Sequence, residues 1–189
     1  MPAQSVAEYF ESHRRVADDS VKPLAVPIGQ AAEAIVTALR SGGKVICFGN
    51  GGSATQASHM AAELIGRFKS NRRPLPAISL ASDAGAVTCI SNDFGYEVLF
   101  ERQITALANR GDIALGLTTS GVSENVLRAL SVAKKRGAVT IALCGEQGLA
   151  RGDADHLLSV PSGSTAHIQE VHLMILHLFC AAVEAAFAS

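Results

Sequence analysis

Two polar clusters interrupt otherwise apolar helical segments, and their side chains are of the types that move protons or bind metal. His59 and Glu63 lie four apart in ASHMAAELIGRF, and Gln169 and His177 lie eight apart in HIQEVHLMILHLF. An α-helix advances about 100° per residue, so each spacing returns both side chains to roughly one side. Burying a carboxylate, an amide and imidazoles among Ala, Leu, Ile and Met is costly unless each finds a partner. If the two segments meet, the four groups could supply a general acid, a general base or the ligands of one metal ion. On its own, the His59/Glu63 spacing also fits an ordinary i,i+4 surface pair, which is the commoner case. Gln169 and His177 would stand roughly 12 Å apart along an ideal helix. Reaching one ion then requires converging side chains, a helix irregularity or contributions from two chains.

Two glycine-bearing loops could hold an anion. GNGGS (49–53) joins a strand to a helix, and its glycines let backbone N–H groups approach a ligand at a helix N-terminus. It matches neither G-x-x-x-x-G-K-[ST] nor G-x-G-x-x-G, and a plain turn with Ser53 as N-cap fits it as well. TTSGVSEN (118–125) is more specific: Thr118, Thr119, Ser120 and Ser123 set four hydroxyls around Gly121. Capping the next helix from Ser123 would use one of them, which favours a phosphate cradle over a plain turn.

The elements that must position these groups follow from hydrophobic pattern. Residues 3–41 have helical periodicity, broken around Val21-Lys22-Pro23 and again near Pro27, which predicts a helical hairpin ending at the Gly pair 42–43. KVICFG, PAISLAS, GDIALGLT, AVTIALCG and HLLSVPSG read as five strands. Helices are expected over 53–68, 96–111, 123–137 and about 164–187, with Asp83 in a polar turn. Continuous apolar strands alternating with helices predict a doubly wound, mainly parallel α/β sheet with function at the strands' carboxyl ends. The expected organisation is a single domain over 1–189, with 1–42 as an oligomerisation region and 43–189 as sheet and catalytic core.

Composition narrows the function classes. The 189 residues carry 16 basic and 17 acidic side chains, a formal charge of −1, with no basic stripe to favour nucleic acid. No apolar run suggests a leader or a membrane span, so the chain reads as soluble and cytoplasmic. Cys47, Cys89, Cys144 and Cys180 are far apart in apolar surroundings and read as buried thiols. His172 reads as a core residue, and His13, His156 and His167 as solvated. Arg67 could pair with Glu63 or help orient a substrate, and a solvated surface position fits it equally; Glu170 has no assigned role.

In order along the chain, GNGGS, H-x-x-x-E (59–63), NDFG (92–95), TTSGVSEN and IQEVHLMILH (168–177) resemble the sugar isomerase (SIS) fold and, within it, the phosphoheptose isomerases. The resemblance runs from about residue 44 to the end, and the N-terminal helical region fits too. It implies interconversion of sedoheptulose 7-phosphate and D-glycero-D-manno-heptose 7-phosphate through a cis-enediol, toward ADP-heptose. It also implies substrate contacts from Asn50, Gly51, Gly52, Ser53, Glu63, Asn92, Asp93, Thr118, Thr119, Ser120, Ser123 and Gln169. Glu63 would be the base and His177 the acid. Zinc would be held by His59, Glu63, Gln169 and His177, and a carboxylate committed to zinc is a poorer base. A homotetramer with sites at subunit boundaries is implied as well.

Two departures stand out. The family loop often reads STSGNS, and Thr165-Ala166-His167 replaces a stretch that often carries a charged residue. The alternatives are an isomerase for another sugar phosphate and a non-catalytic adaptor resembling the replication-initiator-binding protein. The adaptor would have no need of Glu63 or His177, and both are present.

Overall fold

A computed structural model describes residues 3–152 and 154–188. Five strands, β1 (Val45–Gly49), β2 (Ala77–Ser79), β3 (Ile113–Thr118), β4 (Val139–Cys144) and β5 (His156–Ser159), form one sheet in the order β2-β1-β3-β4-β5. Every pairing is parallel, as the unbroken apolar runs predicted. β1 and β3 are buried along their whole length, whereas the edge strands β2 and β5 are short and partly exposed.

Alternate strand residues feed two cores. Val45, Cys47, Ile113 and Leu115 pack with α1 (Ala3–Arg40), α2 (Gly52–Ile65) and α6 (Thr165–Phe187). Ile46, Phe48 and Ala114 pack on the other face with α4 (Leu99–Leu107) and α5 (Glu124–Lys135). The chain therefore leaves β1 toward one face and β3 toward the other. Neighbouring parallel strands whose connections diverge in this way open a crevice at their carboxyl ends, the topological switch point of a doubly wound sheet.

The N-terminal region is one continuous 38-residue helix, not a hairpin, and both Pro23 and Pro27 lie inside it. Proline removes an N–H and crowds the carbonyl four residues earlier. Asp19 and Pro23 are exposed, so water can solvate the carbonyl that Pro23 strands. Leu24, Ala31, Ala32, Ile35, Ala38 and Leu39 on the opposite side are buried, and their packing outweighs the local penalty.

A helix also stands where only a turn was expected. Asp83 caps α3 (Ala84–Phe94), accepting from the Gly85 and Ala86 amides at 2.8 and 3.1 Å. No residue of α3 is buried. A 3-10 turn at Tyr96–Val98 then leads into α4. α6 is long and apolar enough, by length and composition alone, to cross a membrane, contrary to the expectation that no segment would be. Here its inner stripe, including Ile168, Ile175, Phe179 and Val183, lies in the core.

Candidate active site

The crevice between β1 and β3 is bounded by the loops that follow them. After Gly49 the chain turns through Gly51, whose φ of 55° suits glycine and which takes the N-cap position of α2. Ser53 is therefore not the cap. It is buried inside the first turn, in van der Waals range of Gly49. No side chain caps α2; the Ser53 amide donates to the Asn50 carbonyl at 3.0 Å, and the Ala54 and Thr55 amides donate to the Gly51 carbonyl at 3.0 and 3.3 Å.

On the β3 side, Ser123 is the N-cap of α5, as read from sequence, yet its hydroxyl makes no capping bond. Thr118 donates to it instead at 3.1 Å, and the Val122 amide donates to Ser120 Oγ at 3.3 Å. The hydroxyl loop rests on the segment after β4. The Ala150 amide donates to the Gly121 carbonyl at 2.9 Å, and the Gly145 amide to the Thr119 carbonyl at 3.1 Å. Gly121 has φ 70°, and a Cβ there would lie 1.8 Å from the Gly148 carbonyl oxygen. Only glycine fits.

The two loops are joined by a reciprocal amide pair. Asn50 Nδ2 donates to Asn125 Oδ1 and Asn125 Nδ2 to Asn50 Oδ1, each at 2.9 Å. The Tyr96 hydroxyl adds a donation to Asn50 Oδ1 at 2.8 Å. Sequence reading missed Asn125 and Tyr96 as site residues. The available signals were Asn125 closing the TTSGVSEN segment and Tyr96 following NDFG directly.

α2 and α6 run side by side in the same direction, with Gly52 against Gln169, His59 against His177 and Met60 against Cys180. His59 Nε2 and His177 Nε2 approach to 3.1 Å, and Glu63 Oε1 stands 3.5 Å from His59 Nε2. The Phe68 ring covers His177 at 5.5 Å between centroids. Glu63 Oε2 is buried and has no hydrogen-bond partner. A buried carboxylate oxygen is costly to leave without a partner, so this one stands out in the groove.

Gln169 is placed differently. It packs on Gly52, where a Cβ would lie 2.6 Å from its Nε2, and Gln56 donates to its backbone carbonyl at 2.6 Å. The 12 Å problem thus has a local answer, because the four residues are spread along the groove between two helices. His59 lies close to both Glu63 and His177 deeper in the groove, and Gln169 stands at the mouth near GNGGS.

Other expectations divide. Asn92 and Asp93 are exposed on α3, and Asn92 donates to Asp93 at 2.7 Å. Their described bonds do not tie them to the groove. Arg67 is exposed and donates to Asn71 rather than to Glu63. Arg72 is the guanidinium near Glu63, donating to the backbone carbonyls of Glu63 and Leu64 and closing the end of α2. Sequence offered no signal for it.

His172 is fully buried, 3.2 Å from the Cys144 carbonyl oxygen, and burial holds its pKa down at about 4. It is the core residue anticipated. Cys47, Cys144 and Cys180 are buried, and burial pushes their thiols up, Cys180 to about 12, whereas Cys89 is exposed. His167 is buried rather than solvated, and Glu170 is a hydrogen-bonding hub.

Comparison with known proteins decides the family. The SIS-domain profile matches residues 8–145. A phosphoheptose isomerase from Aquifex aeolicus is 47% identical over 96% of this chain and 95% of its own length. The chain belongs to the phosphoheptose isomerases of the SIS-domain family. Solved structures of phosphoheptose isomerases from Neisseria gonorrhoeae and Francisella tularensis superpose with TM-scores of 0.90 and 0.91, at 38% and 37% identity. They cover 96% and 98% of this chain, which span 98% and 100% of theirs. The family membership makes this chain a sugar-phosphate isomerase.

Proposed function

We propose that the enzyme interconverts sedoheptulose 7-phosphate and D-glycero-D-manno-heptose 7-phosphate in the cytoplasm, supplying heptose toward ADP-heptose. The observation that carries this reading is His59 linking Glu63, which has an unpartnered buried oxygen, to His177 beside a crevice lined by hydroxyls. Full-length likeness to relatives named phosphoheptose isomerase supplies the choice of sugar.

The phosphate binds among Thr118, Thr119, Ser120 and Ser123, at the uncapped end of α5. The sugar then extends past Asn50, Gly51, Gly52, Ser53 and Gln169 toward the imidazoles, with Asn92 and Asp93 closing over it. From the ketose, Glu63 removes a C1 proton while His177 protonates the C2 carbonyl oxygen, giving a cis-enediol. Glu63 returns the proton to C2 as the O1 proton passes to His177, and the aldose is released. Acid–base assistance of this kind contributes about 10²–10⁴-fold in rate.

The donor set also fits zinc. His59 lies within 3.1 Å of His177 and 3.5 Å of Glu63, Glu63 Oε2 lacks a partner, and Gln169 shares the groove. Bound there, zinc would polarise the sugar carbonyl as a Lewis acid.

A homotetramer with sites at subunit boundaries is part of the proposal, with residues 1–42 as the associating region of a single domain. It is supported by α3, which buries none of its residues, and by an apolar groove lined by Val21, Leu24, Ile28, Met174 and Leu178. The test is NMR observation of purified protein with sedoheptulose 7-phosphate, before and after chelation and zinc return. Formation of the C2-epimer-specific aldose signal is expected, reduced by chelation. Absence of aldose with and without added zinc would overturn the assignment.

A further inference from the structure

We propose that His13, His167 and Glu170 form a second divalent transition-metal site, between α1 and the first turns of α6. It is distinct from the groove between α2 and α6. One ligand atom from each of the three residues lies within 4.8 Å of the other two. His13 Nδ1 and His167 Nδ1 both point at Glu170 Oε2, at 2.7 and 2.8 Å. Two imidazoles and one carboxylate, with a fourth position open, are a common zinc donor set, and imidazole also suits nickel, copper and cobalt. With metal–ligand bonds of about 2.0–2.1 Å, tetrahedral ligand atoms stand ~3.3 Å apart. Each imidazole nitrogen therefore needs to draw back from Glu170 Oε2 by about 0.5–0.6 Å.

The independent support is the shell behind the ligands. A metal-bound imidazole usually donates its second ring N–H to an acceptor, and a ligating carboxylate is usually held through its other oxygen. Ser12 Oγ lies 3.0 Å from His167 Nε2, and the Tyr9 hydroxyl donates to Glu170 Oε1 at 2.6 Å. When the carboxylate alone is the partner, both imidazoles carry their proton on Nδ1, and His167 Nε2 accepts from Ser12. When a cation binds, the proton shifts to Nε2 and Ser12 becomes the acceptor. The hydroxyl serves either tautomer, so no buried group is stranded in either state. A cleft lined by Tyr9, Phe10, His13, Glu170, Leu173 and Met174, about 390 Å³ in volume, gives access from solvent.

The site is tested on the full-length protein stripped with chelator and titrated with zinc alone, then with cobalt for its visible absorption. Glu170→Gln and His13→Gln should each remove one equivalent of bound metal that His177→Gln leaves in place. His13→Cys should restore it, with a cobalt–thiolate charge-transfer band that a merely structural hydrogen-bond network would not produce. His13 is on α1 and partly exposed, so its variants decide the matter even if Glu170→Gln folds poorly. Metal content unchanged by His13→Gln, or a His13→Cys protein without the thiolate band, would overturn the proposal. Loss of isomerase activity or of the His177-dependent equivalent would bear on the other site alone.

Discussion

The two sides of the β1/β3 crevice are built from different materials. The β1 side ends in glycines that leave space, and behind them stand imidazoles and a carboxylate whose hydrogen bonding is incomplete. The β3 side is lined by hydroxyls, of which those of Thr118, Ser120 and Ser123 are placed by backbone or by one another, and is buttressed by the loop after β4. Incomplete satisfaction marks the half to which the proposed function assigns the chemistry. Tight bracing marks the half suited to binding, where the geometry must match a fixed tetrahedral anion.

The contrast can be broken most severely at Glu63. Glu63→Gln keeps shape and removes the base, so kcat should fall about 10²–10⁴-fold with KM nearly unchanged. A steady-state assay checks this, and an equal rise in KM would instead place Glu63 in binding. On the other side, Gly121→Ala must both adopt φ 70° and displace the Gly148 carbonyl. The cost should be on the order of 3 kcal/mol, with a Tm lower by about 6–12 °C and weakened substrate binding.

A third test uses an imidazole of α6 that takes no part in the groove. His172 has its pKa depressed from 6.5 to about 4, so between those values the unfolded chain binds the proton that the folded chain refuses. Its contribution is whole above pH 6.5 and is lost as pH falls toward 4, by about 3 kcal/mol. Urea unfolding at pH 7 and pH 5 should reveal that slope, and His172→Leu should flatten it.

Thr118→Val is a gentler probe of the hydroxyl side. Hydrogen bonds to charged groups contribute about 1.5–3 kcal/mol, so KM should rise roughly 10- to 100-fold while kcat holds. The smallest effect is expected at Gly51→Ala, where φ is also positive but nothing lies within 4 Å of a new Cβ. With ψ at −123° the backbone there is outside the left-handed helical region, and about 1–3 kcal/mol of stability should be lost, measurable by thermal melting.

Much of the architecture was legible because it depends on local pattern. Buried parallel strands appear as apolar runs, and glycine at their ends announces turns. His59 with Glu63 was visible through its spacing, and TTSGVSEN through its excess of hydroxyls. What escaped depends on distant neighbours. Pro23 and Pro27 looked like breaks because the packing that carries α1 through them comes from α6 and the sheet. α3 escaped because it has no buried face to impose a period, although Asp83 followed by small residues was a readable cap. Arg72, Tyr96 and Asn125 act on partners 9 to 75 positions away, which no spacing rule connects. His167 and Glu170 were passed over for the same reason, since the hydroxyl and imidazole that engage them sit on α1.

The reciprocal bond between Asn50 and Asn125 has a further meaning for turnover. Each amide answers the other, so the gap between the two loops is fixed by the protein itself and does not wait for a sugar to define it. The entropy of arranging the crevice is surrendered once, when the chain folds, and the arriving substrate finds its walls already at working distance.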